Sequence, residues 1–331
     1  MNKVLRAFRR VARTVGLGGS AHYATPLYSQ GFSVFGLLSG PEAERHIEGR
    51  LRQPGPLMIA RFGNSEADLL ANLHLVYQGR YRRILDFLWG LNEGFFARND
   101  VLVSEIKTLS GFFPTTPPLL RRYYDLCLED MRACDVLGSW LGSEKAFYKE
   151  LGRAAKVGLE DVSGCLPLTE NLCSALRGKR VLVVHPFVES IHRQYQRRRL
   201  VWARCPGRTP DFYLETLKPV ESFADMDAPF ESWFDALEHM KSQIDRAAFD
   251  LAILSCGAYG FNLAAHIKRT GRKAWHMGGA VQLIFGIIGQ RWERIPAYAE
   301  RLSTFRNEYW VRPLETERPA GYGKVDGAGY W

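Results

Sequence analysis

Short apolar runs and longer amphipathic segments alternate along most of this chain. The runs are rich in β-branched and aliphatic residues, as is typical of strands in a sheet covered on both faces. Strands are predicted at residues 57–62, 135–140, 156–160, 180–184, 213–219, 249–255 and 273–277. This alternation predicts an α/β protein with a doubly wound, mainly parallel, Rossmann-like sheet.

Helices are predicted between the strands, where apolar residues recur three and four positions apart. Ser232 and Asp235 form a capping box that opens one of them, and its apolar face is Trp233, Leu237, Met240 and Ile244. Further helices are predicted at residues 64–76, 144–155, 168–177 and 189–199, and after the glycine turn at 256–260.

The α/β domain is predicted to span residues 21–312, with a mostly helical region inserted at about 80–133. Prolines interrupt the inserted region at 114–118, where they break a helix. Residues 313–331 are rich in Gly and Pro, and we expect an extended C-terminal tail laid over the domain.

Residues 1–20 are predicted to form a basic amphipathic helix followed by a linker. Val4, Phe8 and Val11 share one helical face, and Lys and Arg residues surround the other. A helix of this kind binds the surface of an anionic membrane. The alternative is a helix docked on the core with its basic face in water.

The net charge of +9 over 331 residues favours an anionic partner. Basic residues cluster at 3–13, 80–83 and 192–208, but no nucleic-acid-binding motif accompanies them, so we expect no nucleic-acid partner. The six cysteines form no C-x-x-C pair, which predicts reduced thiols and no zinc site. Neither a membrane-spanning run nor a secretory signal is recognisable, so we expect a cytoplasmic protein.

Arg61, Gly63, Asn64 and Glu66 follow the first predicted strand. The oxygens of Asn64 and Glu66 suit a divalent cation or the hydroxyls of a ribose, and Mg²⁺ and Mn²⁺ prefer oxygen ligands. The alternative is that Asn64 caps the following helix and Glu66 complements its dipole.

His185, Glu189 and Arg193 follow the fourth predicted strand. Ligands of doubly wound proteins bind at the carboxyl ends of strands. His185 or Glu189 is therefore a candidate general base, and Arg193 is a candidate phosphate contact. The alternative for His185 is a hydrogen-bonded structural role.

Two glycine turns follow the last two predicted strands. Glycines at such turns let backbone N–H groups approach a phosphate near the start of a helix. The alternative is that they only let helix and strand pack closely. The candidate nucleotide contacts in these turns are Gly257, Tyr259, Gly260, His276, Gly278, Gly279 and Gln282.

The segment Arg61-Phe62-Gly63-Asn64-Ser65-Glu66 resembles the R-[FY]-G-D-x-E signature of GT-D type glycosyltransferases, bacterial enzymes of surface-polysaccharide and glycoprotein glycan assembly. The stretches at 185–191, 256–260 and 278–287 are similar to segments of bacterial polysaccharide-biosynthesis proteins. The resemblance implies that the D-x-E positions lie at a nucleotide-sugar and metal site, with Mn²⁺ or Mg²⁺ as cofactor. Asn64 stands at the Asp position and is a weaker ligand for a hard cation, so metal dependence stays open, with Glu66 as the charged ligand.

We therefore expect a glycosyltransferase that moves a sugar from a nucleotide-diphosphate sugar to a glycan or lipid-linked acceptor. Glu189, His185 and Glu66 are the candidate catalytic residues, while Arg61 and the glycine turns would stabilise the leaving diphosphate. No organic cofactor is expected, and the basic N-terminal helix would bring the protein to the inner face of the cytoplasmic membrane.

Two other functions stay open. One is a non-catalytic subunit of a polysaccharide assembly complex that has kept the fold, and Asn64 favours it. The other is a nucleotide-dependent oxidoreductase, for which the chain lacks the combination of G-x-G-x-x-G and a following acidic residue.

Overall fold

The computed structural model describes residues 36–78, 100–164, 168–224, 226, 228–319, 321–324 and 329–331. The helix and linker predicted at 1–20 lie outside the described residues. So do the first part of the inserted helical region, at 79–99, and Cys165. The five described cysteines are free, and four of them are buried.

All seven predicted strands are present: β1 Leu57–Ala60, β2 Val136–Ser139, β3 Ala155–Gly158, β4 Arg180–Val184, β5 Tyr213–Leu217, β6 Leu251–Leu254 and β7 Lys273–His276. They form one parallel sheet of order β3-β2-β1-β7-β6-β4-β5. Every residue of β1 and β6 is buried, because helices cover both faces of the sheet. The predicted doubly wound, parallel architecture is confirmed.

The helices follow the apolar periodicity of the sequence. Ser232 accepts a hydrogen bond from the Asp235 N–H at the start of α9, and the predicted face of that helix is buried. The helices are α1 Gly40–Arg52, α2 Asn64–Gln78, α3 Asp100–Ser110, α4 Pro117–Met131, α5 Leu159–Ser163, α6 Glu170–Leu176, α7 Val188–Gln196, α8 Arg198–Val201, α9 Trp233–Arg246, α10 Tyr259–Arg269, α11 Val281–Ile284, α12 Gln290–Arg294 and α13 Pro296–Ser303.

The helix predicted at 144–155 is wrong. The structure has a 3-10 helix, Gly142–Phe147, followed by turns. Lys156 is buried, and its ammonium group donates to the carbonyl oxygens of Leu151 and Ala154. The Ala155 N–H donates to the Asp135 carbonyl as the chain enters β3. These groups therefore cannot continue a helix.

Helices α2, α3, α4, α9 and α10 pack on one face of the sheet, and α1, α5, α6, α7 and α11 pack on the other. The chain leaves β1 and β6 toward the first face and leaves β4 and β7 toward the second. These four strands are neighbours or near neighbours in the sheet, so their carboxyl ends border a crevice where the winding direction changes.

The tail predicted at 313–331 is only partly extended. It contains the 3-10 helices Glu315–Glu317 and Tyr322–Lys324. Trp331 is buried, and its ring centroid lies 5.1 Å from that of Phe187 and 5.7 Å from that of Tyr322. The tail therefore contributes to the core beside the carboxyl end of β4.

None of the described helices is both long and apolar enough to cross a membrane.

Candidate functional site

A cleft with a volume of about 250 Å³ lies at the carboxyl ends of β1, β4, β6 and β7. The connections after β2 and β5 and residues Tyr330 and Trp331 of the tail complete its wall. The structure brings together most of the site residues that the sequence predicts. Those that line the cleft are Arg61, Gly63, Asn64, Glu66, His185, Gly257, Tyr259, His276, Gly278, Gly279 and Gln282.

Glu189 and Arg193 lie on the outer surface of α7 and do not line the cleft. Their side chains form an ion pair one helical turn apart, and each is more than half exposed, at 52% and 60%. The backbone N–H groups of Glu189 and Ser190 donate to the Glu317 carboxylate of the tail. The structure therefore does not place the predicted base Glu189 or the predicted phosphate contact Arg193 at the site.

Arg61 lies beside the glycine turn that follows β7. Gly278 has a φ of +62°, which favours glycine, and a Cβ atom there would lie 3.5 Å from Cζ of Arg61. The Arg61 guanidinium also lies over the indole of Trp140, with Cζ 5.7 Å from the ring centroid. A cation and a glycine turn from neighbouring strand ends thus meet in the cleft, an arrangement that suits a phosphate group.

The Glu66 carboxylate folds back over Gly63 at the start of α2. A Cβ atom at Gly63 would lie 1.8 Å from Oε2 of Glu66, so only glycine permits this approach. Ser65 Oγ is 3.4 Å from the same oxygen and 2.6 Å from Ser110 Oγ. Glu66 thus complements the start of the helix, as the structural alternative predicts, while it also lines the cleft.

His185 is buried, and burial lowers its pKa to about 3. Its Nδ1 accepts a hydrogen bond from the Phe187 N–H at 2.9 Å. The neutral imidazole therefore carries its proton on Nε2. In this state His185 can donate a hydrogen bond, but its low pKa and occupied Nδ1 make it a poor acceptor for a proton.

His276 is the second neutral imidazole of the cleft. Burial, with a smaller effect from the Arg61 charge, lowers its pKa to about 3. A Cβ atom at Gly260 would lie 2.3 Å from Nε2 of His276, so the imidazole packs directly on this glycine. Gly260 therefore serves the close packing of α10 against β7, and its own N–H donates to the Gly257 carbonyl.

Three N–H groups of the glycine turn after β6 already donate to backbone carbonyl groups of the protein. Those of Ala258, Tyr259 and Gly260 donate to the carbonyls of Ser110, Cys256 and Gly257. Gly257, with a φ of +55°, lets the turn reverse in this way. These three donors are not directed at a ligand, so the turn after β7 is the better candidate for contact with a phosphate.

We predict that Gly260→Ala destabilises the fold by about 1–3 kcal/mol, because the added methyl group overlaps the buried imidazole of His276. Urea unfolding of the variant measures the loss. Gly49→Ala in α1 is the matched control, since nothing lies within 4 Å of a Cβ atom there. A Gly260 variant as stable as this control would contradict the close packing.

Tyr259 holds the connection after β5 in place. Its ring stacks on Trp233 at 5.0 Å between centroids, and its hydroxyl lies 2.9 Å from Ser222 Oγ. Ser222 in turn donates to the Gly111 carbonyl at 2.7 Å. Tyr259 is 2% exposed and already stacked, so its role is to position the wall of the cleft rather than to stack on a nucleoside base.

Sequence reasoning missed several residues of the cleft. Glu221 follows β5, and the strand-end rule that selected the other residues would have found it. Arg291 and Tyr330 carry no such signal, because they reach the site from distant parts of the chain. Arg291 donates to the Tyr330 hydroxyl at 3.2 Å, and a Cβ atom at Gly279 would lie 2.0 Å from the Tyr330 ring.

No group of three or more His, Cys, Asp or Glu side chains that could hold a metal ion occurs within the part of the chain that the structure describes. Glu66 is the one carboxylate of the Arg61–Glu66 motif. The donors present therefore suit a divalent cation only when it arrives with substrate phosphates, as Mg²⁺ commonly does.

Comparison of the chain with models of protein families, with curated proteins and with solved structures finds no match. Its function is therefore inferred from the chemistry of the cleft and from the motif that begins at Arg61.

Proposed function

We propose that this protein is a glycosyltransferase that binds a nucleotide-diphosphate sugar in the cleft and transfers the sugar to a hydroxyl of a glycan or lipid-linked acceptor. The contact between Arg61 and the Gly278 turn, at the carboxyl ends of the adjacent strands β1 and β7, is the observation that carries the proposal. The motif around Arg61 and the doubly wound sheet support it.

Sugar transfer requires that the leaving diphosphate be stabilised as negative charge develops on it. The Arg61 guanidinium presents several N–H donors in a planar fork that matches phosphate oxygens. Gly278 and Gly279 begin a 3-10 helix, and the first N–H groups of a helix have no partner within it. Together they can hold the diphosphate at the junction of β1 and β7.

The two buried imidazoles add no charge to the cleft. His185 and His276 stay neutral because burial lowers both pKa values to about 3. From Nε2, the neutral imidazole of His185 can donate a hydrogen bond to the sugar or the phosphate without bringing a charge that must be desolvated, whereas His276 packs on Gly260. Arg61 then remains the charge at the junction of β1 and β7 that an anionic donor meets.

The volume of the cleft indicates how much of the donor it encloses. At about 250 Å³ it lies just below the range of roughly 300–1,000 Å³ that is usual for small-molecule sites. We expect the cleft to enclose the diphosphate and the sugar, with the nucleoside toward the opening.

A basic surface on α7 and α8 supports an acceptor at a membrane. Arg193 on α7, Arg197 between the two helices, Arg199 on α8 and Arg204 just after α8 are exposed. Exposed arginines attract an anionic lipid surface, each by about 1 kcal/mol. This surface would bring the protein to a lipid-linked acceptor on the cytoplasmic face.

Calorimetric titration of the full chain tests the proposal. The ligands are the diphosphates of uridine, guanosine, adenosine, cytidine and thymidine, and their common nucleotide sugars, each with and without Mn²⁺ or Mg²⁺. We expect saturable binding of one nucleotide, and comparison of the titrations shows whether the cation arrives with the phosphates. If the folded protein binds none of them, the proposal fails and the non-catalytic subunit becomes the better assignment.

A further inference from the structure

We infer that Glu221 is the general base of the cleft and takes the proton of the acceptor hydroxyl. This inference rests on the proposed function and names a catalytic residue for it. Glu221 lies on the connection after β5 and lines the cleft together with its neighbours Val220 and Ser222.

The two carboxylate oxygens of Glu221 differ in their surroundings. Oε2 lies 3.3 Å from Nζ of Lys218, which holds the side chain on one side. Oε1 is buried and has no hydrogen-bond partner among the described residues. A buried carboxylate oxygen without a partner is costly, so a ligand hydroxyl that donates to Glu221 is favoured. The terminal torsion of the side chain rotates easily, and this rotation exchanges the positions of Oε1 and Oε2.

The other candidate bases are less suitable. The Glu66 carboxylate lies over Gly63 at the start of α2, and that of Glu189 lies outside the cleft in an ion pair with Arg193. Burial lowers the pKa of His185 to about 3, which makes it a weak base, and its Nδ1 already accepts the Phe187 N–H. Of the two carboxylates that line the cleft in the described structure, Glu221 is the one not committed to a helix start.

The backbone on both sides of Glu221 is fixed. The Val220 N–H contacts Sδ of Met240 at 3.4 Å. Ser222 Oγ donates to the Gly111 carbonyl and lies 2.9 Å from the Tyr259 hydroxyl, whose ring stacks on Trp233. A catalytic side chain on such a supported connection keeps its geometry without the ligand.

The electrostatic environment is consistent with the role. Burial raises the pKa of Glu221, and Glu317 adds to the rise, while Lys218 lowers it. The other titratable groups that line the cleft include Glu66, His185 and His276. A carboxylate whose pKa moves toward neutrality is a stronger base that is still ionised at the working pH.

The step is a direct displacement. The acceptor oxygen forms a bond to the anomeric carbon as its proton passes to the Glu221 carboxylate. The bond between the anomeric carbon and the diphosphate oxygen breaks, and the diphosphate leaves with the electron pair. Its charge is then balanced by Arg61.

Comparison of Glu221→Gln with Glu221→Asp tests the inference on the full chain. The assay follows release of nucleotide diphosphate from the nucleotide sugar that binds in the titration, with water and simple sugars as acceptors. We expect Glu221→Gln to keep donor affinity within about twofold and to lower kcat by about 10²- to 10⁴-fold. Glu221→Asp should recover part of the rate. The acid limb of the wild-type pH–rate profile should disappear in Glu221→Gln. Glu189→Gln is the matched control, and we expect it to keep the wild-type rate.

The outcomes separate this inference from the proposed function. Absence of donor binding by the wild-type protein overturns the proposed function and this inference with it. Donor binding without release of nucleotide diphosphate by the wild-type protein overturns the inference and leaves the cleft a binding site. Normal kcat in Glu221→Gln, or an unchanged acid limb, overturns the inference alone.

Discussion

Arg61→Met weakens binding of the nucleotide diphosphate by about 10- to 150-fold, if Arg61 holds the phosphates as proposed. A hydrogen bond to a charged group contributes about 1.5–3 kcal/mol, and each 1.4 kcal/mol changes affinity about tenfold. Methionine keeps an apolar side chain of similar length but removes the guanidinium over Trp140, and with it the charge and the donors. Calorimetric titration of the variant with the nucleotide that binds the wild-type protein measures the change.

Arg193→Met is the matched control for this prediction. The sequence pattern makes Arg193 an equally good phosphate ligand, but the structure places it outside the cleft, paired with Glu189. We expect its affinity for the nucleotide to stay within about twofold of the wild-type value. Arg61→Lys should bind with intermediate affinity, because lysine keeps the charge but loses the planar fork. Equal losses in Arg61→Met and Arg193→Met would assign the effect to the general positive field and contradict a site at Gly278.

The strands were predictable because a strand that is buried on both faces of a sheet has a continuous run of apolar residues. The runs at β1, β4 and β6 are almost purely apolar. The end of each strand, and the residues that come directly after it, can therefore be located in the sequence. The rule that ligands gather at the carboxyl ends of strands then selects Arg61, His185, His276 and the glycine turns. This is the part of the site that depends on local sequence and topology alone.

The position of Glu189 and Arg193 outside the cleft has a geometric cause. Ile191 and Gln194 face the core from α7, and a residue two positions before Ile191 lies on roughly the opposite side of the helix. The same applies to Arg193. The residue that directly follows a strand lies at the cleft. The residues of the next helix point in different directions around the helix axis, so only some of them face the cleft. Helical periodicity could therefore have excluded both residues before the structure was known.

Other features depend on contacts between distant segments, which local patterns do not encode. The sequence pattern predicts that Gly260 contacts a phosphate, but the neighbour that requires a glycine at this position is the imidazole of His276. Tyr330 lies on Gly279 only because the tail folds back into the cleft. Glu317 from the same tail accepts the N–H groups at the start of α7. An internal carboxylate thus occupies a helix start at which a phosphate could otherwise bind.

The free energy of unfolding falls as the pH is lowered from about 6.5, and it falls most steeply below about 4.5. His185 and His276 have pKa values of about 3 in the native state, against 6.5 when exposed. Between these values the unfolded chain binds two protons that the native state does not bind. Stability therefore rises with pH in this window, by up to about 1.4 kcal/mol per pH unit for each histidine.

Glu144 opposes this effect in the upper part of the window. Burial raises its pKa to about 7 from 4.5, although Ser139 and the N–H groups of Trp140 and Leu141 donate to its carboxylate. Between pH 4.5 and 7 the native state therefore binds a proton that the unfolded chain releases. Stability from this group increases as the pH falls through that range, and it offsets about one histidine.

Urea unfolding of wild-type protein and Glu144→Gln between pH 3.5 and 7 separates the two contributions. In Glu144→Gln the histidines act without this opposing group, so we expect the slope between pH 4.5 and 6.5 to be steeper than that of the wild type. Below pH 4.5 the two slopes should converge, because Glu144 is then protonated in both states. A flat profile in Glu144→Gln would mean that His185 and His276 accept protons in the native state. They would then carry positive charge in the cleft, and the neutral state assigned to both imidazoles would be excluded.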